Sequence, residues 1–285
     1  MTRPEEPSAL GSRNRLEGKR AVVVGAGQSP GVGALGIGRA TALLFAREGA
    51  ELILVDRDES EVRVTQKMIQ EEGGRAEVHI ADITEESGCQ SIGEAAAGFG
   101  VDVLQNTVGI LSSEDLVDLT EERWDLVMDT NLKSAWMTCK FVLPAMRAQG
   151  WGSVINMSSL AGFGGSLTAY AISKAGMNHL TTALAGSNAR YGIRVNAIMP
   201  GFIDTPMGVD ANATRLGKPR EQLAEERAAQ CPMGYQGDAW DVAYASLYFA
   251  ADESRYVSGT CLAVDGALSA TWYRTQPRPQ PRPNS

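Results

Sequence analysis

Ala21-Val-Val-Val24-Gly25-Ala-Gly27-Gln-Ser-Pro30-Gly31-Val-Gly33-Ala-Leu35-Gly36-Ile37-Gly38 is the stretch whose reading decides the fold. Its first four residues are a continuous apolar run, the pattern of a strand buried on both faces. A glycine-rich loop follows, and Arg39 to Glu48 then reads as a helix stopped by Gly49. Working outward, the same alternation repeats. Glu51–Val55, Glu77–Ile80, Val101–Leu104, Ser153–Asn156, Ile193–Met199 and Thr260–Val264 read as strands. Asp58–Glu72, Thr84–Ala97, Glu121–Ala148 and Thr168–Tyr191 read as helices between them. Strand and helix in alternation specify an α/β fold: a single-domain Rossmann-type doubly wound parallel sheet with helices on both faces. That domain is expected over 19–270, after an N-terminal extension over 1–18 and before a Pro-rich tail over 271–285 too poor in apolar residues to pack.

Composition narrows the function. The 285 residues are 44% hydrophobic, enough for one large core. A net charge of −8 argues against nucleic acid or an anionic membrane as partner. Cys89, Cys139, Cys231 and Cys261 are widely spaced, and with His79 and His179 as the two histidines no metal site is indicated. The polar start of the chain lacks a signal-peptide core and no run of 18 apolar residues occurs, so a cytoplasmic protein is expected.

The chemistry is concentrated in Tyr170-Ala-Ile-Ser-Lys174, which sets a phenol and an ammonium one helical turn apart. A nearby ammonium favours the phenolate and brings its pKa down from about 10 toward neutrality. By chance alone about 0.15 such pairs are expected in this composition, so the pair needs context. Upstream, Gly152-Ser-Val-Ile-Asn-Met-Ser-Ser159 is a short strand ending in hydroxyls, and Asn131 lies in a helical stretch expected to bury Leu126, Val127 and Leu132. Asn131, Ser159, Tyr170 and Lys174, in this order behind a glycine loop, resemble the short-chain dehydrogenase/reductase family over about Arg20 to Gly266.

The resemblance implies a nicotinamide cofactor and hydride transfer between a secondary alcohol and a ketone. Tyr170 would be the acid/base, Ser159 would position the substrate oxygen, Lys174 would lower the Tyr170 pKa and hold the nicotinamide ribose, and Asn131 would fix a water linked to Lys174. Asp82 and Ile83 would bind adenine, although Asp82 also reads as a helix cap ahead of Thr84. Asn106 and Gly109 would form the turn against the cofactor. Pro200, Gly201, Ile203 and Thr205 would hold the carboxamide. A homotetramer is the implied assembly.

Three features depart from the family pattern. Gly25 and Gly36-Ile37-Gly38 match its two ends, but ten residues separate Gly25 from Gly36, a seven-residue insertion. The G-x-G-x-x-G match over Gly31–Gly36 does not leave the strand directly and reads as incidental. The insertion either folds over the adenosine side of the site or is a surface excursion. Thr107 and Val108 depart from the turn after the fourth strand. Ser159 precedes Tyr170 by 11 residues, a shorter interval than the family usually shows, which leaves Ser158 open as an alternative donor.

Asp56 ends the second strand eighteen residues past Gly38, near the spacing of a ribose 2′-hydroxyl acceptor, and favours NAD. Arg57 beside it covers the adenine face, is solvated, or meets a 2′-phosphate. The substrate lid is expected over 206–232, where Arg215, Lys218, Arg220 and Arg227 read as a solvated helix face rather than a carboxylate clamp. An NADP-linked biosynthetic ketoreductase is the alternative, disfavoured where it would act on an acyl carrier protein. A catalytically idle NAD-binding scaffold is the reading from a different class.

Overall fold

The computed structural model describes residues 14–28, 33–164 and 168–271. The expected tail and Ser29 to Val32 of the glycine-loop insertion therefore lie outside the described residues. In chain order the elements begin β1 (Arg20–Val24), α1 (Ile37–Arg47), β2 (Glu51–Asp56), α2 (Glu59–Glu71), β3 (Arg75–Ile80), α3 (Glu86–Phe99) and β4 (Val103–Asn106). They continue α4 (Glu121–Met128), α5 (Ser134–Gln149), β5 (Gly152–Met157), α6 (Ala169–Asn188), β6 (Ile193–Pro200), β7 (Ile203–Asp204), α7 (Ala211–Leu216) and α8 (Arg220–Gln230). The last are β8 (Gly237–Asp238), α9 (Ala239–Ala250), β9 (Cys261–Val264) and α10 (Leu268–Thr271).

Seven parallel strands form the central sheet in the order β3-β2-β1-β4-β5-β6-β9, and β7 and β8 make a short separate pair. The order in which strands are added reverses between β1 and β4, and at such a switch point the crossovers diverge and leave a crevice at the strands' C-terminal ends. Side chains alternate across the sheet. Ala21 and Val23 of β1 join Leu52 and Leu54 of β2 in a core shared with α1 and α9, while Val22, Val24, Ile53 and Val55 face α3 and α5. Burial on both faces is why these strands read as unbroken apolar runs. Leu16, inside the stretch read as an extension, is wholly buried and donates its N–H to the Glu48 carbonyl.

Two departures from the sequence reading matter. The single helix expected over 121–148 is broken by a π-turn at Asp129–Lys133 between α4 and α5, and this turn carries Asn131. Leu126 on α4 is 47% exposed rather than buried, whereas Val127 is in the core. The sequence reading also placed no element between the lid and the last strand. There the Asp238/Asp241 capping box starts α9, whose Val242, Leu247 and Phe249 are buried.

Candidate functional site

A cleft of about 710 Å³ opens at the C-terminal ends of the strands, where the switch point lies. Its floor at the nucleotide end is the glycine loop. Gly25 has φ +84°, and a Cβ there would meet Val108 Cγ2 at 2.8 Å. A Cβ on Gly38 would stand 1.8 Å from the Gly25 carbonyl oxygen, so helix α1 leaves the strand backbone against backbone. Gly36, Ile37 and Gly38 all line the cleft, and α1 begins at Ile37, two residues earlier than the sequence suggests.

Gln28 closes the base of the insertion. Its Nε2 donates to the Ala34 carbonyl at 3.1 Å, and its Oε1 accepts from the Gly36 N–H at 2.8 Å. The chain thus returns to the family position at Gly36 despite the added residues. Arg39 of α1 and Thr65 of α2 brace the same region: Arg39 Nε donates to Thr65 Oγ1, which donates to the Ala26 carbonyl.

Asp56 lies where β2 ends, with Oδ2 accepting from the Gly27 N–H at 2.9 Å and Oδ1 from the Asp58 N–H at 3.1 Å. Arg57 and Asp82 share the rim with it. Asp82 does not cap α3. It accepts from the Thr84 N–H and hydroxyl in a tight turn, and the N–H holds its carboxyl below the usual carboxylate range. Ile83 beside it is buried and lines the cleft.

At the far end, Ser159, Tyr170 and Lys174 come together. The Ser159 side chain stands close enough to the Tyr170 phenol to favour its ionised form, and it accepts from the Ala161 N–H at 3.2 Å. Ser158, the alternative donor, is buried and donates to the Lys174 carbonyl at 3.1 Å, which removes it from the cleft chemistry. The shortened interval is taken up by a 3-10 turn at Leu160–Phe163 ahead of α6. Gly165 to Leu167 lie outside the described residues.

Lys174 differs from the expectation. Its ammonium donates to the Met157 carbonyl at 2.7 Å and stands 5.7 Å from the Tyr170 ring centre. Burial pushes the Tyr170 phenol up from its ordinary value, with the Ser159 side chain opposing. Tyr170 is half-buried and lines the cleft, and its partial removal from water sets the direction. Burial also brings Lys174 down to about 8.

The sign of the Lys174 shift gives an expected result. Below about pH 8 the ammonium is charged in both states and its burial costs stability. As pH rises from about 8 toward the unfolded value, the folded chain gives up its proton first, so stability rises. The raised Tyr170 value acts in the opposite direction only above about pH 10. Relative to Lys174→Met, the parent should gain about 2–3 kcal/mol between about pH 8 and 10 in urea unfolding. Parallel pH profiles for the two proteins would refute it.

Two expected site residues do not line the cleft. Asn106 is buried between strands, its Nδ2 donating to Asn156 Oδ1 at 3.0 Å, because β4 runs two residues further than expected and places it inside the sheet. Asn131 is wholly buried and clasps Ile110, accepting from its N–H at 2.7 Å and donating to its carbonyl at 3.0 Å, with Ser173 Oγ a further acceptor. Its side chain is spent on positioning the turn after β4, so any water it fixed would have to meet its main chain. Gly109 in that turn lies against both Asn131 Oδ1 and Lys174 Nζ.

Pro200, Gly201, Ile203 and Thr205 line the cleft as expected. Thr205 Oγ1 accepts from the Gly208 N–H at 2.9 Å and so starts the lid. The lid charges divide. Lys218 pairs with Glu226, Arg220 pairs with Asp204 and Asp210, and Arg215 is exposed and bonds Asn212. Arg227 instead lines the cleft, and nothing in the residue pattern separates it from the other three. The Gly25–Gly38 cradle, the open N-terminus of α1 and the length of the cleft fit a nicotinamide dinucleotide.

Comparisons with known proteins agree with this geometry. A family model described as enoyl-(acyl carrier protein) reductase matches residues 31–269. The chain is 37% identical over 258 residues to the 3-oxoacyl-[acyl-carrier-protein] reductase FabG of Thermotoga maritima, covering 89% of this chain and 99% of that one. A Burkholderia xenovorans structure described provisionally as a short-chain dehydrogenase/reductase superposes with a TM-score of 0.84 at 39% identity, covering 90% of this chain and 98% of its own. A Beutenbergia cavernae structure described provisionally as an NAD(P)-dependent gluconate 5-dehydrogenase with bound NADP gives 0.80 at 34% identity, covering 90% and 98%. No helix among the described residues is long and apolar enough to cross a membrane. With its parallel sheet, glycine cradle and Ser-Tyr-Lys cluster, the chain belongs to the short-chain dehydrogenase/reductase family of oxidoreductases.

Proposed function

We propose that this protein interconverts a secondary alcohol and its ketone, with NAD preferred over NADP. The observation that carries the reading is that Ser159, Tyr170 and Lys174 line the same cleft as the glycine cradle. A bound nicotinamide supplies the hydride acceptor in oxidation and the donor in reduction. In oxidation the Tyr170 oxygen takes the substrate hydroxyl proton; in reduction it returns a proton to the carbonyl oxygen. Ser159 holds that oxygen and stabilises the charge that develops on it. Lys174 holds the ribose side, and Asn131 sets the turn at Ile110 and Gly109 against which the cofactor rests.

NAD preference is supported by Asp56, whose carboxylate at the end of β2 suits a ribose diol and repels a 2′-phosphate. Asp56→Ala should narrow the NAD over NADP ratio of kcat/KM by about tenfold or more. A parent enzyme that already prefers NADP in steady-state kinetics would overturn this assignment. The second reading, an NADP-linked ketone reductase, rests on Arg57: it lines the rim and has no ion pair among the described residues. The NADP in the Beutenbergia relative and the likeness to a 3-oxoacyl reductase favour the same reading. Assaying an alcohol and ketone panel with both cofactors tests the reaction and the preference together. Silence across that panel with normal cofactor binding would leave the idle scaffold.

The reading includes a cytoplasmic homo-oligomer, a tetramer by family resemblance. The acidic composition and the wide spacing of the four cysteines, without a Cys-x-x-Cys, support the location. The half-exposed Leu126 on α4 and Trp136 on α5 support association.

A further inference from the structure

Arg227 is the only charged side chain that the lid contributes to the cleft among the described residues. Its neighbours hold it there. The guanidinium lies over the Phe202 ring, 4.3 Å from the ring centre, and Nε donates to Gln236 Oε1 at 2.9 Å. Gln236 is buried and is itself fixed by donating Nε2 to the Ala224 carbonyl at 3.2 Å. One edge of the guanidinium is therefore anchored to protein. No hydrogen bond from Nη1 or Nη2 to a described residue occurs, and no carboxylate of the described residues lies within ion-pairing distance.

The neighbouring charges make this unusual. Asp204 exerts a pull on Arg227 but is committed to Arg220, which also holds Asp210. Burial works against the Arg227 cation, so the fold carries a cost in keeping it at the cleft. Around it the lid wall is apolar or neutral: Phe202, Met207 and Leu268, with Gln230 as a further polar group. A planar cation fixed at one edge, with its other donors facing a cleft, matches the geometry of a carboxylate or phosphate accepted bidentately.

We propose that the substrate carries an anionic group, a carboxylate or a phosphate, that binds the free edge of Arg227 while its carbinol or carbonyl carbon lies at Ser159 and Tyr170. The proposal rests on the oxidoreductase reading above and names the substrate class for it. The opposite ends of one molecule are then fixed by two rigid groups, which orients the reacting carbon.

The test uses the full-length protein with saturating cofactor. A panel of hydroxy acids and keto acids, with the carboxylate at increasing distance from the reacting carbon, is assayed against the corresponding primary amides, together with phosphate-bearing hydroxy ketones. The parent should favour an anionic member over its neutral counterpart. Arg227→Gln should raise KM for it by at least about tenfold, as expected for a lost hydrogen-bonded charge pair, while kcat falls less. The amide should change by less than about threefold. Equal loss on acid and amide, or a parent that prefers the amide, would overturn the proposal.

Calorimetric titration of the anionic compounds into the cofactor-bound protein keeps the two readings apart. Binding by the parent that Arg227→Gln abolishes supports the anion site even where turnover is absent, which would then count against the oxidoreductase reading alone. Equal affinity in both proteins, or no binding of any anionic member to the parent, would overturn the anion site. Thermal unfolding of Arg227→Gln near the parent midpoint separates a lost ligand contact from a disturbed lid.

Discussion

Replacing Tyr170 with phenylalanine is expected to lower kcat by on the order of 10²–10⁴-fold while cofactor affinity stays within about threefold of the parent. The ring of Tyr170, which lines the cleft, remains; only the phenol oxygen beside Ser159 is lost. Steady-state kinetics and cofactor titration on the two proteins check both halves of this expectation. Turnover within tenfold of the parent would remove Tyr170 from the chemistry. The direction of its pKa adds a further point. With the phenol pushed up by burial, Tyr170 is held as the neutral acid, the form needed to protonate a ketone. Oxidation needs the phenolate, and the cation available to favour it, Lys174, is turned to the Met157 carbonyl. A change in the ammonium's hydrogen bonding, or added positive charge in the cleft, would favour the base. The pH dependence of oxidation should be steeper than that of reduction for this reason.

Much of the fold was legible because both faces of the sheet are covered. Val22, Val24, Ile53 and Val55 must be as apolar as Ala21, Val23, Leu52 and Leu54, and the runs stand out without periodicity. The glycines could be placed because Gly25 and Gly38 touch backbone to backbone, a contact that forbids any side chain. What failed to show is local geometry that several sequences could adopt. The π-turn at Asp129–Lys133 has the same composition as a straight helix, yet it is what aims Asn131 at Ile110. The motif places Asn106 in the cleft, but the fourth strand lies two residues further along the chain and puts it inside the sheet. Lys174 and Tyr170 were legible as neighbours; the rotamer that sends the ammonium to Met157 was not. Arg227 was hidden for another reason. Four cations of the lid look alike in sequence, and the partners of three of them, not any feature of its own, distinguish it.

Gly38→Ala should be the most damaging single methyl group that can be added to the glycine loop. The new Cβ would lie 1.8 Å from the Gly25 oxygen and 2.9 Å from its carbon, and both are main-chain atoms. Gly25 has little freedom to retreat: its N–H and that of Ala26 both donate to the Val55 carbonyl, and Val108 packs over it. The N-terminal turn of α1 must move outward instead, although the rest of that helix is buried against the core from Gly38 to Phe45. Such overpacking costs about 1–3 kcal/mol or more. The same movement takes the first N–H groups of α1 away from the position where a pyrophosphate would accept from them. Cofactor affinity should fall by on the order of a hundredfold, since each charge-assisted hydrogen bond lost costs about 1.5–3 kcal/mol. Gly186→Ala is the control, because that residue is exposed on α6 and a Cβ there meets nothing within 4 Å. It should raise stability by up to about 1 kcal/mol, as alanine does in a helix, and leave cofactor binding unchanged. Thermal unfolding and fluorescence titration with NADH and NADPH read both variants. Gly38→Ala with parent-like affinity would mean that α1 and the end of β1 do not meet as closely as the structure has them, and the cradle would no longer be a reason to place the cofactor there.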